Sequence, residues 1–271
     1  MLNQVSQNDK RIKWIDTAKF IAIIGVLVDH TNGILYTDKR IAYISYYSVS
    51  LFIVIMGITS YLSYKNSAGS MSVPEKLKKN SLKIIIPYIE ATLIYCIFIH
   101  KRIQFPEFLE HLINFDATTP FYYAALYLQL VLITPALYYI FQTSDRKKNR
   151  FLVELAGFFV IIIIARLTNY YTKLFNIYGG GGKLFGGHFL ILFYLGMWFG
   201  KYYCRILLKT GTALIGSVLS LGLTAGCAAF ISKDQLHIDS VLHCAPGLNP
   251  PGISLSVYAI STATAIFFLD S

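Results

Sequence analysis

His30 lies eleven positions after Lys19 in the largely apolar stretch KFIAIIGVLVDHTNGILY. In a helix, eleven steps of 100° end about 20° past three full turns, so both side chains share one face about 16 Å apart. A lysine is a point charge suited to phosphate, and an imidazole is the side chain whose proton moves near neutral pH. A cation at the mouth of a span and a base near mid-depth suit a long anionic substrate whose charged head stays at the surface while its reactive end reaches inward. The competing reading is structural, because a membrane histidine also serves as an interhelical hydrogen-bonding group.

Other polar residues fall at comparable depth. Glu90 lies near the middle of KIIIPYIEATLIYCIF, three residues after Pro87, and Gln129 lies midway along FYYAALYLQLVLITP. Each such group in a span carries an energetic cost. A carboxylate beside an imidazole fixes its tautomer and raises its basicity. Asp29 precedes His30 but points about 100° away from it, which makes Glu90 the more natural partner if its helix packs there. Interhelical hydrogen bonding is the alternative role for Glu90, and more so for Gln129. The glycine-rich YGGGGKLFGG resembles a phosphate loop but fails its pattern, because Ile177 holds the first glycine position and Leu184 follows Lys183. It reads as an outer loop.

These residues need membrane helices to position them. Of the 271 residues, 55% are hydrophobic and only 14% charged, and mean hydropathy is +0.54. A soluble domain carries roughly a quarter charged residues. The apolar residues gather into eight predicted spans, 19–36, 47–64, 82–100, 120–142, 151–167, 187–203, 211–231 and 253–269, forming an all-α transmembrane bundle with one domain over residues 1–271. With the N-terminus inside, fifteen of the twenty-four lysines and arginines fall on the inner side, among them Lys65, Lys76, Lys78, Lys79 and Lys83. That bias places both termini in the cytoplasm.

The net charge of +10 therefore reflects orientation signals, and no basic run has the aromatic context of a nucleic-acid module. Cys96, Cys204, Cys227 and Cys244 show no ligand spacing and no disulfide framework, so no metal site is expected. The first apolar run is too long for a signal peptide and stays as the first helix. Residues 101–119 have amphipathic spacing at Phe105, Phe108, Leu109, Leu112 and Ile113, fitting a helix on the membrane surface or a connecting helix.

With these residues in view, the chain resembles the acyltransferase family 3 membrane proteins, and within them the branch of fucose O-acetylase-like and capsule or exopolysaccharide acetyltransferases. RIKWIDTAKFIAIIGVLVDH is similar to that branch's opening, and the family's Arg/Lys-x10-His signature falls on Lys19 and His30. LKKNSLKIIIPY resembles its basic run into a proline-aromatic helix start, placing Lys79, Lys83, Pro87 and Tyr88. SLFIVIMGITSYLSY is similar to the second helix, with Met56-Gly57 where Ser-Gly is usual. PFYYAALYLQLVLITP resembles the fourth, with Tyr122 and Tyr123 where tryptophan is common, and HFLILFYLGMWFGKYY has the Leu-Gly-Met helix. The likeness is good over residues 10–205 and fades afterwards. Asp29 stands where glycine often precedes the histidine, and the chain ends at IFFLDS without the family's NSLYIYLLH-like closing helices.

The resemblance implies transfer of an acyl group, most often acetyl, from acyl-CoA to a hydroxyl of a surface polysaccharide or its lipid-linked precursor, in the plasma membrane of a bacterium. No permanently bound cofactor is implied. Lys19, Lys79 and Lys83 would draw the CoA phosphates, and His30 would act as general base with Glu90 orienting it, or would itself carry the acyl group. Asp29, Tyr122, Tyr123 and Gln129 would meet the acceptor. Two alternatives stand beside this: a transporter of glycan intermediates with His30 and Glu90 as a relay, and an inactive short relative.

Overall fold

A computed structural model describes residues 12–31, 33–37, 45, 47–67, 71–99, 105–175, 186–206, 210–233 and 250–269. Among them are nine α-helices, one 3-10 turn and no strand: α1 (Lys13–His30), α2 (Tyr47–Asn66), α3 (Val73–Phe98), α4 (Phe105–Asn114), α5 (Tyr122–Asp145), α6 (Arg150–Phe175), α7 (Phe189–Ile206), α8 (Thr210–Lys233) and α9 (Pro250–Leu269). The chain divides into two compact units, Met1–Ile55 with Tyr203–Ser271, and Met56–Tyr202.

Among the described residues, four helical segments are long and apolar enough to cross a membrane: Tyr47–Asn66, Val73–Phe98, Tyr122–Asp145 and Arg150–Thr168. Shorter apolar stretches occupy Phe189–Tyr202, Ile215–Gly226 and Val257–Leu269. Large apolar side chains stay exposed in helical rows, such as Phe159, Ile163 and Leu167 on α6. Water does not tolerate such rows over several helices, and lipid does. This is a multi-pass membrane protein.

α1 corrects the sequence reading of a span over 19–36. The helix starts six residues earlier, at Lys13, and its last residue is His30. Four of its eighteen residues are charged, Lys13, Asp16, Lys19 and Asp29, which sets it apart from the four long apolar helices. It stops because its final carbonyls are taken by side chains. The Thr31 hydroxyl donates to Leu27 O at 2.8 Å and to Val28 O at 3.2 Å, and the Tyr36 hydroxyl also donates to Val28 O. The chain then turns through Gly33 at φ +84°, a conformation only glycine adopts without strain, and Gly33 N–H donates to Tyr36 O at 2.7 Å. In the same unit the buried face of α1 includes Trp14, Ala18, Ala22 and Gly25. Trp14 meets Phe267 of α9 edge-on at 5.3 Å. α8 and α9 pair through hydroxyls, with Thr224 donating to Ser261 at 2.9 Å and Thr264 to Ser220 at 3.0 Å.

The second unit is built around close helix contacts and one buried ion pair. A Cβ on Gly57 would lie 2.9 Å from Met197 N and 3.0 Å from Gly196 Cα, and one on Gly200 would lie 3.0 Å from Ile58 O. Gly196-x-x-x-Gly200 thus forms a small-residue seam of the kind that lets membrane helices touch backbone to backbone. α3 opens on a capping box: Ser72 Oγ accepts from Glu75 N–H at 3.4 Å, and Ser72 N–H donates to Glu75 Oε2 at 3.0 Å. Lys76 is buried beneath it, donating to Ser63 O at 2.5 Å and to Ser67 Oγ, with its ammonium 3.9 Å from the Tyr64 ring. This lysine, read from sequence as an inner-loop charge, clamps the end of α2 to the start of α3.

Glu154 and Lys201 form the ion pair, at 2.7 Å, with side chains 2% and 4% exposed. The carboxylate also accepts from Ser144 Oγ at 2.7 Å, Trp198 Nε1 at 3.0 Å and Tyr202 OH at 3.0 Å. Lys201 reaches Asp145 at 2.8 Å and Ser144 Oγ at 2.8 Å. A buried pair survives only when each partner's remaining hydrogen-bonding capacity is filled, and here it is. The network ties the C-terminal turn of α5 to the start of α6 and to α7.

Candidate functional site

Lys19 and His30 stand on α1 as the spacing predicts, three turns apart on one face, and both are exposed. Between them that face carries Ile23 and Leu27, also exposed. Their axial positions differ from expectation. Lys19 lies two turns inside the helix, within 4.0 Å of Asp16, rather than at its mouth. His30 terminates the helix rather than occupying its middle, because Thr31, Gly33 and Tyr36 end it there. The imidazole is thus carried at a helix end beside a tight turn, where a substrate can approach it without parting a packed helix. Asp29 is half-buried one residue earlier.

The remaining candidates lie in the Met56–Tyr202 unit. A cavity of about 680 Å³ opens there among α2, α3 and α5. That volume falls in the range of small-molecule sites. α2 contributes Thr59, Ser60 and Ser63; α3 contributes Asn80, Lys83, Ile84, Pro87 and Tyr88. The turn before α5 and its first half contribute Phe121, Tyr123, Ala124, Tyr127 and Val131. Two of the site candidates named from the sequence, Lys83 and Tyr123, therefore line one cavity, together with the motif residues Pro87 and Tyr88. Among the described residues, Lys83 is its one charged lining residue.

The far wall is fixed by Tyr88. Its ring stacks on Phe115 at 4.6 Å and meets Phe121 edge-on at 5.4 Å, while its hydroxyl donates to the carbonyls of His111 and Leu112 at 3.1 Å each. These contacts hold the end of α4 against α3. No residue of α4 is buried, and Phe105, Leu109 and Ile113 are exposed on one side of it. Phe108, His111 and Leu112 on its other side are half-buried, so it fits both the surface-helix and the connecting-helix alternatives of the sequence reading. His111 Nδ1 and Asp116 Oδ1 pair at 2.7 Å.

Lys79, Glu90, Tyr122 and Gln129 do not line the cavity. Lys79 is exposed one turn before Lys83. Glu90 is exposed on α3 among Ile86, Leu93, Ile94 and Ile97, which are exposed as well. Tyr122 begins α5 and is half-buried. The Gln129 amide donates back to Ala125 O at 3.3 Å, one turn earlier on its own helix. Sequence reasoning passed over Thr59, Ser60, Ser63, Asn80 and Tyr127, which only helix packing gathers. Pro87 and Pro135 were the available signal for the cavity. Each lies inside a continuous helix, α3 or α5, and withholds one backbone N–H from it. The glycine-rich loop lies outside the described residues, apart from Gly186 and Gly187 at its end. Among the described residues no group of three or more His, Cys, Asp or Glu side chains is placed to hold a metal.

Comparisons with curated proteins and with solved structures return no match. A family model described as an acyltransferase domain matches residues 12–268, nearly the whole chain. With that match spanning α1 through α9, the chain belongs to the acyltransferase family 3 of membrane proteins.

Proposed function

We propose that this protein transfers a short acyl group, acetyl foremost, from acyl-CoA to a hydroxyl of a cell-surface polysaccharide or its lipid-linked precursor, as in the capsule and exopolysaccharide branch of its family. The observation that carries the reading is the exposed face of α1, with Lys19 and His30 three turns apart. His30 takes the proton from the acceptor hydroxyl as its oxygen attacks the thioester carbonyl carbon. The carbon–sulfur bond then breaks, and the CoA thiolate leaves and is reprotonated by the imidazolium. Lys19, Lys79 and Lys83 draw the donor's phosphates as point charges. In this reading eight segments cross the bacterial plasma membrane and both termini face the cytoplasm, as the distribution of lysine and arginine supports.

Ester analysis of the host's surface glycan tests this. Deletion of the gene and His30→Ala are both expected to remove the O-acyl ester while leaving the amount of exported glycan unchanged. Unchanged ester on deletion refutes the transferase, and lost glycan export with normal acylation points to a transporter instead.

A further inference from the structure

Two helices that line the Met56–Tyr202 cavity carry a proline in their interior, Pro87 in α3 and Pro135 in α5. A proline has no N–H, so the carbonyl four residues earlier loses its helical partner. Those carbonyls belong to Lys83 and Val131, and both residues line the cavity. In a membrane protein a freed backbone carbonyl is tolerated chiefly where it meets a neighbouring group or a cavity. The cavity is also graded. Near the start of α3 it presents Asn80, Ser63 and the ammonium of Lys83, which makes no ion pair or hydrogen bond among the described residues. Towards the start of α5 it presents Phe121, Tyr123 and Tyr127, with Ala124 between the two tyrosines.

We infer that this cavity holds the arm of the acyl donor. Lys83 meets a phosphate, the freed carbonyls of Lys83 and Val131 accept amide N–H groups of the arm, and the aromatic end around Ala124 limits the length of the acyl chain. The inference rests on the acyl-CoA reading above and adds to it the position of the donor and the residues that choose the acyl group.

The test uses purified full-length protein in lipid nanodiscs. Binding of acetyl-CoA is measured by calorimetry, and transfer rates are followed for acetyl-, butyryl- and hexanoyl-CoA. Pro87→Ala and Pro135→Ala restore a helical N–H to each carbonyl and do not threaten the helix. Each is expected to weaken acetyl-CoA binding about 3- to 10-fold, the worth of one hydrogen bond, with no loss of thermal stability. Lys83→Gln is expected to weaken CoA binding and to leave untouched the binding of an acetyl thioester of N-acetylcysteamine, which has no phosphate. Ala124→Phe is expected to shift the hexanoyl-to-acetyl ratio of kcat/KM down by at least about tenfold. Leu132→Phe, on the exposed side of the same helix, should not move that ratio. Wild-type binding and transfer that none of the Pro87, Pro135, Lys83 and Ala124 substitutions alters overturns the inference while sparing the acyltransferase. No binding or transfer of any acyl-CoA by the wild type overturns the acyl-CoA reading itself.

Discussion

Lys201→Met should destabilise the protein more than Glu154→Gln, although both break the same ion pair. The reason lies in what each substitution leaves behind. Without Lys201, a carboxylate that is 2% exposed keeps only the neutral donors Ser144, Trp198 and Tyr202. An uncompensated buried charge of this kind costs about 3–5 kcal/mol. Without the Glu154 charge, Lys201 still holds Asp145 at 2.8 Å and Ser144 at 2.8 Å. The glutamine carbonyl can keep some of the donors, while its amide turns a donor towards one of them. One unsatisfied buried donor costs about 1–3 kcal/mol, roughly half the penalty of the lysine substitution. Replacing both residues with Met should cost less than the sum of the two single Met substitutions, because neither partner is then left alone. The assay is unfolding in mixed micelles titrated with SDS, followed by tryptophan fluorescence, to which Trp198 contributes from within the network. Equal losses for Lys201→Met and Glu154→Gln, or strict additivity in the double replacement, would refute the reasoning.

Three further outcomes follow from the helix contacts and the cap. Gly57→Ala places a Cβ against the backbone of α7, so the helices must part, at a cost of about 1–3 kcal/mol. Gly222→Ala on α8 meets nothing within 4 Å and should be neutral or stabilising in the same unfolding assay. Ser72→Ala removes the capping box of α3 and should cost about 1 kcal/mol, detected as earlier hydrogen exchange in the first turn of that helix.

The all-helical membrane architecture was readable from the apolar runs, because twenty-residue stretches of low charge have few other uses. The same-face relation of Lys19 and His30 was readable too, since it depends only on helical periodicity. The ends of α1 were not, because apolar content alone cannot see that Thr31 and Tyr36 side chains consume the last carbonyls. The Asn32-Gly33 dipeptide, a common turn signal, was the clue that a run of apolar residues outweighed. Neither Glu154 nor Lys201 was singled out from the sequence. Their pairing joins residues forty-seven apart, and nothing local in either segment announces it. The cavity had the same character. Lys83 and Tyr123 could be picked out one by one, but the hydroxyls of α2 and the paired helix-interior prolines acquire meaning only when three helices meet.

If His30 performs acyl transfer, the purified protein itself should carry out the reaction. Protein in nanodiscs is supplied with acetyl-CoA and its glycan acceptor, and thiol release and ester formation are followed together. The two should appear in equal amounts, and His30→Ala should lower both at least about 100-fold while acetyl-CoA still binds. Ester formation by His30→Ala at the wild-type rate would contradict that role of His30.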